Sequence, residues 1–335
     1  MAKEYRLGVY GLVHDHVWKE LGFWRNLPQV KFVAVADPHA ELCDRAVKEC
    51  GAMNVYRSAE ELLEKEEIDI LQVCASNRDS VPAVVAALNK GIHVVSEKPM
   101  AHTLAGADAM LHAAQQSSAR LAINWPIYWW PAARHAFRLV QDGAIGQVFY
   151  SCVRMSHEGP RNYGCSKYFC DWLYDAEQNG GGALIDYCSY GACISRMLFG
   201  RPQQVFAVSA NLLTPDSPVE DNATIHMVYP HTFAMAEASW TSRPRYHDAI
   251  FRGTKGTLWS LEGKLFLDLE KDTHPVEQSV PALPVGQTNC PEYLLHCLET
   301  GAALQGMIDP QIARDGQEIL DAGQRSAASG KSVEL

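Results

Sequence analysis

The first third of the chain alternates short apolar runs with helical patterns, and few folds accept that rhythm. Leu7–Tyr10, Phe32–Ala36, Ile68–Cys74, Ile92–Val95 and Leu121–Ile123 have the length and apolar continuity of strands buried on both faces. Between two of them, Val81, Val84, Val85 and Leu88 recur at helical spacing, with Asp79 or Ser80 expected as N-cap and Gly91 as the stop. Ser58-Ala59-Glu60-Glu61 ahead of Leu62-Leu63 is a capping box. The series predicts a doubly wound parallel sheet.

In such a sheet, ligands bind outside the carboxyl ends of the strands. Ser96-Glu97-Lys98-Pro99 follows Ile92–Val95 at once, so a carboxylate and an ammonium fall at that edge, with Pro99 restricting the loop. Lys98 is therefore read as a working residue of an enzyme. The first strand runs into Gly11-Leu12-Val13-His14-Asp15-His16. A dinucleotide loop carries three glycines that let backbone approach a pyrophosphate. Here Gly11 keeps the first place, and Val13 and His16 hold the other two. Gly11, Leu12, Val13 and His14 are expected beside the cofactor. Asp37 ends the second strand, where a carboxylate accepts hydrogen bonds from a ribose and repels a 2′-phosphate, so NAD is expected rather than NADP. Ser76 and Asn77, in the loop after Ile68–Cys74, border the same edge. His14 and His16 read as a wall of the site at a helix start, and no metal is expected.

From Gly146 onward the apolar runs change character. Val148–Met155, Val205–Leu212, Ala223–Tyr229, Phe233–Trp240, Ala249–Arg252 and Thr257–Leu261 are separated by turn residues rather than helices, which predicts a mostly antiparallel sheet. Helices are expected at Pro131–Gln141, Gly182–Phe199, Pro291–Thr300 and Pro310–Ser329. At 335 residues the chain exceeds what one core holds, so two domains are expected, 1–124 and 125–335. A net charge of −10 argues against nucleic acid or an anionic membrane as partner. No basic-then-apolar leader and no bilayer-length apolar run is present. The ten cysteines are scattered without a Cys-x-x-Cys pair, as in a reducing compartment, and the expected address is cytoplasmic.

Several segments together resemble the glucose–fructose oxidoreductase, inositol dehydrogenase and MocA family. They are Gly11, Asp37 and Gly91-Ile-His-Val-Val-Ser-Glu97-Lys98-Pro99, then Gly143-Ala-Ile-Gly146 and Gly180-Gly-Gly-Ala-Leu-Ile-Asp186, and finally Glu220-Asp-Asn-Ala223, Gly253-Thr-Lys-Gly256 and Ser326-Ala-Ala-Ser-Gly330-Lys331. The resemblance implies a Rossmann domain followed by an α+β domain with a large open sheet. One face of that sheet would lie under helices, and the other would serve a homodimer or homotetramer. It implies NAD or NADP and a sugar, inositol or related polyol as substrate. Lys98 matches the family's active-site lysine, and Asp186 the aspartate that opens an Asp-x-x-x-His motif. Glu97, Asn124 and Trp125 are implied at the nicotinamide end.

The family's histidine would fall four residues after Asp186, where this chain has Tyr190. Three readings stay open. Tyr190 takes over proton transfer with its pKa lowered by Lys98; Lys98 carries the proton beside a merely hydrogen-bonding Tyr190; or Tyr190 only packs and catalysis is lost. Substrate contacts are expected from Lys98, Tyr128, Arg154, His157, Asp186 and Tyr190, and from Tyr163 and Trp172 in an aromatic loop. The leading expectation is NAD-dependent hydride transfer to or from a secondary hydroxyl. The alternatives are an NAD-dependent glycosidase acting by transient oxidation and elimination, and a dinucleotide-sensing regulatory protein without catalysis.

Overall fold

The computed structural model describes residues 3–261, 263–269 and 274–335. The first layer runs β1 (Tyr5–Tyr10), α1 (Val17–Arg25), β2 (Val30–Ala36), α2 (Ala40–Cys50), β3 (Asn54–Tyr56), α3 (Ala59–Lys65), β4 (Ile70–Val73), α4 (Asn77–Asn89), β5 (His93–Glu97), α5 (Leu104–Gln116) and β6 (Leu121–Asn124). Its six strands are all parallel, in the order β3-β2-β1-β4-β5-β6. The order reverses between β1 and β4, and that switch point opens a crevice at their carboxyl ends. Strands β4 and β6 are buried along their whole length, as their apolar runs require.

The second layer begins with α6 (Pro131–Gln141) and β7 (Val148–Ser156). Three short helices follow, α7 (Pro160–Tyr163), α8 (Lys167–Leu173) and α9 (Ala176–Asn179), and then the long α10 (Ala183–Phe199). Next come β8 (Gln204–Ala210), β9 (Asn222–Val228), β10 (Phe233–Ser239), β11 (Tyr246–Gly253), β12 (Gly256–Leu261), β13 (Lys264–Leu269) and β14 (Val276–Glu277). The chain ends in α11 (Cys290–Thr300), α12 (Pro310–Ser329) and β15 (Val333–Glu334). These strands form one nine-stranded sheet, β14-β13-β12-β11-β7-β10-β9-β8-β15, antiparallel except for the β10–β7 pair. Helices α10 and α12 cover one face. On the other, Phe206, Val208 and Phe233 are exposed. Helix α11 returns to pack on α1, β5 and β6, so the last part of the chain also closes the first layer.

Some boundaries differ from the sequence expectation, each for a local reason. Helix α4 is capped by Ser76, whose Oγ accepts the Asp79 N–H at 3.1 Å, rather than by Asp79 or Ser80. The aromatic loop at 161–172 folds into α7 and α8, because Gly164 turns the chain left-handed and the Ser166 Oγ accepts the Phe169 N–H. Among the described residues no helix is long and apolar enough to cross a membrane.

Candidate active site

Strand β5 delivers Glu97 and Lys98 to the crevice, and both are buried. Lys98 Nζ donates to Asp186 Oδ1 at 2.6 Å, an ion pair with both side chains out of water. Asp186 stands in the first turn of α10, where the unpaired amides favour a carboxylate. Its other oxygen accepts the Trp240 Nε1–H at 3.1 Å. The turn itself is held by Glu220, whose Oε1 accepts the N–H groups of Gly182 and Leu184. Glu97 is bound on both sides: Asn124 Nδ2 donates to Oε1, and Oε2 lies 3.0 Å from His16 Nδ1.

Two rings stand beside Lys98. Its Nζ lies 4.9 Å from the Tyr190 ring centre and 5.9 Å from that of Tyr187. His157 lies 4.9 Å from Tyr187 and stacks on Tyr163 at 5.2 Å. The Gly159 N–H donates to His157 Nδ1 at 3.0 Å, so the neutral ring carries its proton on Nε2. Burial lowers the His157 pKa, with the Asp186 carboxylate opposing. Near pH 7 the ring is a neutral donor.

Tyr190 does not fit the role of a lowered-pKa base. Burial, then the Asp186 and Glu97 carboxylates, push its phenol well above the ordinary value of 10. The Lys98 ammonium is spent on Asp186, and Tyr190 meets Trp125 edge-on at 5.5 Å.

The cofactor side is built on β1, β2 and β4. Gly11 has φ of 78°, and a Cβ there would sit 2.3 Å from the Ala75 nitrogen. Asp37 is buried, and its Oδ2 accepts the Leu12 N–H at 2.6 Å while Oδ1 accepts from His39. Gly11, Val13, Asp37, Ser76, Tyr168 and Trp172 line a cavity of about 200 Å³. His14 is buried against Phe169, and burial pushes its pKa well below 6.5. His14, His16 and Glu97 converge, but the His16–Glu97 hydrogen bond already joins two of them. Trp125 Nε1–H is buried without a partner among the described residues. A crevice turned at Gly11, a buried carboxylate at the end of β2 and the orphan Trp125 donor, next in sequence to the Asn124 that binds Glu97, fit a dinucleotide lying from Asp37 toward Lys98.

Four expected contacts fall elsewhere. Arg154 pairs with Asp248 on the open face of the sheet, because it alternates with Val153 and Met155, which face the helices. Tyr128 turns toward the 305–306 segment, where its OH donates to the Gln305 carbonyl at 3.4 Å. Trp172 belongs to the cofactor side, its Nε1–H donating to the Val13 carbonyl. Asn77 is committed to Asn179 through a 2.7 Å hydrogen bond. Conversely, sequence reading missed Tyr187, Trp240 and His247. Tyr187 adjoins Asp186 in sequence and was open to discovery. The other two depend on which strands neighbour β7.

Comparison with known proteins agrees with the fold. The oxidoreductase family with an NAD-binding Rossmann fold matches residues 8–125, and the GFO/IDH/MocA C-terminal domain matches 133–259. D-apiose dehydrogenase of Paraburkholderia graminis is 26% identical, the match covering 93% of this chain and 85% of that protein. The 1,5-anhydro-D-fructose reductase of Ensifer adhaerens is 26% identical over 90% of each chain. The crystal structure of aldose-aldose oxidoreductase from Caulobacter crescentus has the same fold, with a TM-score of 0.84 at 21% identity, covering 99% of this chain and 100% of that one.

Proposed function

This chain belongs to the GFO/IDH/MocA family of NAD-binding oxidoreductases, and on that premise we propose that it transfers hydride between NAD and a secondary hydroxyl or ketone of a sugar, inositol or related polyol. The observation that carries the reading is the buried Lys98–Asp186 pair at the carboxyl edge of the parallel sheet, beside the Gly11–Asp37 crevice. The dinucleotide, held by Gly11, Leu12, Val13, His14, Asp37, Ser76, Glu97, Asn124 and Trp125, supplies the hydride acceptor or donor when bound. Lys98 handles the proton of the reacting oxygen, giving it in the direction of ketone reduction and taking it back in oxidation. Asp186 holds the Lys98 side chain in place through their 2.6 Å hydrogen bond, and is itself braced by Trp240. His157, neutral with Nε2–H free, offers a second donor to the substrate's hydroxyls. Tyr163 and Tyr187 flank that imidazole with apolar faces suited to a sugar ring. The names of the two relatives, one a pentose dehydrogenase and one an anhydrosugar reductase, agree with this substrate class.

Sugars, inositols and sugar acids screened with NAD and with NADP, following nicotinamide absorbance, test the reading. Stoichiometric NADH with at least one of them is expected, with NAD preferred because of Asp37. Consumption of a glycoside without NADH would point instead to redox-neutral cleavage, and binding of NAD with no turnover of any carbohydrate would defeat both. We also read the open sheet face, with Phe206, Val208 and Phe233, as a surface for self-association into a dimer or tetramer.

A further inference from the structure

A second cavity, of about 520 Å³, opens between α6 and the β11–β12 hairpin on the helix-covered side of the large sheet. Its walls include Trp130, Ala133, Phe137, Leu261 and Val280. The polar groups that reach it are mostly engaged. Arg245 is paired with Glu158, Asp248 with Arg154, and the Ser260 Oγ accepts the Ala249 N–H. One polar atom stands apart: His247 Nε2 is buried with no hydrogen-bond partner among the described residues.

His247 also ties this cavity to the Lys98 site. Its ring meets Trp130 at 5.7 Å on one side and the edge of Tyr187 at 6.2 Å on the other. Tyr187 in turn lies against Lys98 and His157. On β11, His247 is in register with Met155, two residues before His157. The reacting centre and the cavity are therefore neighbours across a single wall of rings.

We propose that this cavity is a subsite for the non-reacting part of the substrate, and that the substrate is a glycoside or similarly substituted sugar with an apolar ring as its second part. The inference rests on the dehydrogenase reading for the position of the reacting sugar. A free sugar would gain little here, since hydroxyls set against the buried Ile127, Ala136 and Phe137 would lose water without replacement partners. An apolar ring fits the walls, and a turn of the His247 ring, which stands between the cavity and the Lys98 site, would join the two and present its Nε2 to the oxygen that links the ring to the sugar. The volume falls within the range of pockets that take a drug-sized group, beyond the need of one small polyol.

The test compares glucose, galactose and xylose with their phenyl β-glycosides as substrates of the NAD-loaded enzyme. For a sugar that is turned over, kcat/KM for the phenyl glycoside should exceed that of the free sugar about tenfold or more, the usual worth of a filled apolar pocket. Ala133→Trp, which fills the cavity, should bring the ratio to about one. Trp130→Ala, at a position 37% exposed and so tolerant of change, should lower it as well. A ratio near one in the unaltered enzyme, or one that neither variant moves, overturns the subsite. If nothing is turned over, calorimetry on the NAD-loaded protein decides separately. Phenyl glycoside binding that Ala133→Trp abolishes keeps the subsite and removes the dehydrogenase reading, and absence of such binding removes the subsite.

Discussion

Lys98 and Tyr190 lie within 4.9 Å of each other and are opposites in what burial does to them. The ammonium has Asp186 at 2.6 Å to offset its lost hydration, whereas the phenol faces two carboxylates that oppose its ionisation. In the reading proposed above, Lys98 carries the proton and Tyr190 acts as a ring packed on Trp125 and Lys98. Tyr190→Phe should keep kcat within about threefold of the unaltered enzyme, while Lys98→Met should lower it by about 10²–10⁴, the usual share of a positioned acid or base. Steady-state turnover of the two variants, with NAD binding measured alongside, checks this. A large loss in Tyr190→Phe would restore the tyrosine as the catalytic group. Lys98→Met also strands Asp186, and removing one partner of a buried pair destabilises by about 3–5 kcal/mol, so its folded fraction must be measured too.

Helix α10 converts one side chain's chemistry into a matter of packing. Asp186 sits in its first turn, and the helix rests on β10 and β7 through Gly191, where a Cβ would come within 2.5 Å of the Ala236 Cβ. Gly191→Val should lift the helix from the sheet, costing about 1–3 kcal/mol as an overpacked contact. Because Asp186 moves with the helix, kcat should fall as well. Urea midpoints and turnover of the same preparation test the coupling; a stable variant with unchanged kcat would mean the first turn is held by Glu220 alone.

At this scale the sequence was readable where one strand carries its own meaning. The parallel layer follows from continuous apolar runs, and Lys98 from its place just past one of them. The edge strands β3, β14 and β15 were missed because they are only two or three residues long and are held by their neighbours, and β13, beside β14, was passed over with them. Arg154 was misjudged for another reason. It lies one residue from Val153, and alternation sends the two to opposite faces, but which face holds the site depends on α10 lying across β7 and β10. His247 eluded notice because it and its partners, Trp130 and Tyr187, come from three separate stretches of chain.

Across the whole molecule, the two layers meet around the crevice as well as along α12–α5 and α11. Lys98 pairs with Asp186, Ser76 donates to Gln178 at 2.7 Å, the Ser166 N–H donates to Asp15, and the Trp172 indole reaches Val13. The open face of the large sheet lies away from these contacts, so association through it leaves the crevice free. Phe233 is 63% exposed there. Phe233→Glu should give a monomer by light scattering if that face joins subunits, and an unchanged mass would assign assembly to another surface. The crevice also gathers buried charge, and that affects the stability of the whole fold. Glu20, on α1 beneath Glu97, has an unpartnered buried oxygen, and burial plus the Glu97 charge raise its pKa to about 8. Between 4.5 and about 8 the native state keeps a proton that the unfolded chain releases. This contribution is complete below the ordinary value and is lost as pH rises through the folded one, at most about 1.4 kcal/mol per pH unit. Buried neutral His14 and His157 act in the opposite sense, withdrawing stability as pH falls below 6.5. Stability should therefore decline on both sides of a mildly acidic to neutral optimum. Glu20→Gln keeps the shape without the charge, so it should abolish the alkaline decline and leave the acid one. Urea unfolding midpoints of both proteins from pH 5 to pH 9 decide the matter: parallel curves would mean that Glu20 is ionised in the native state.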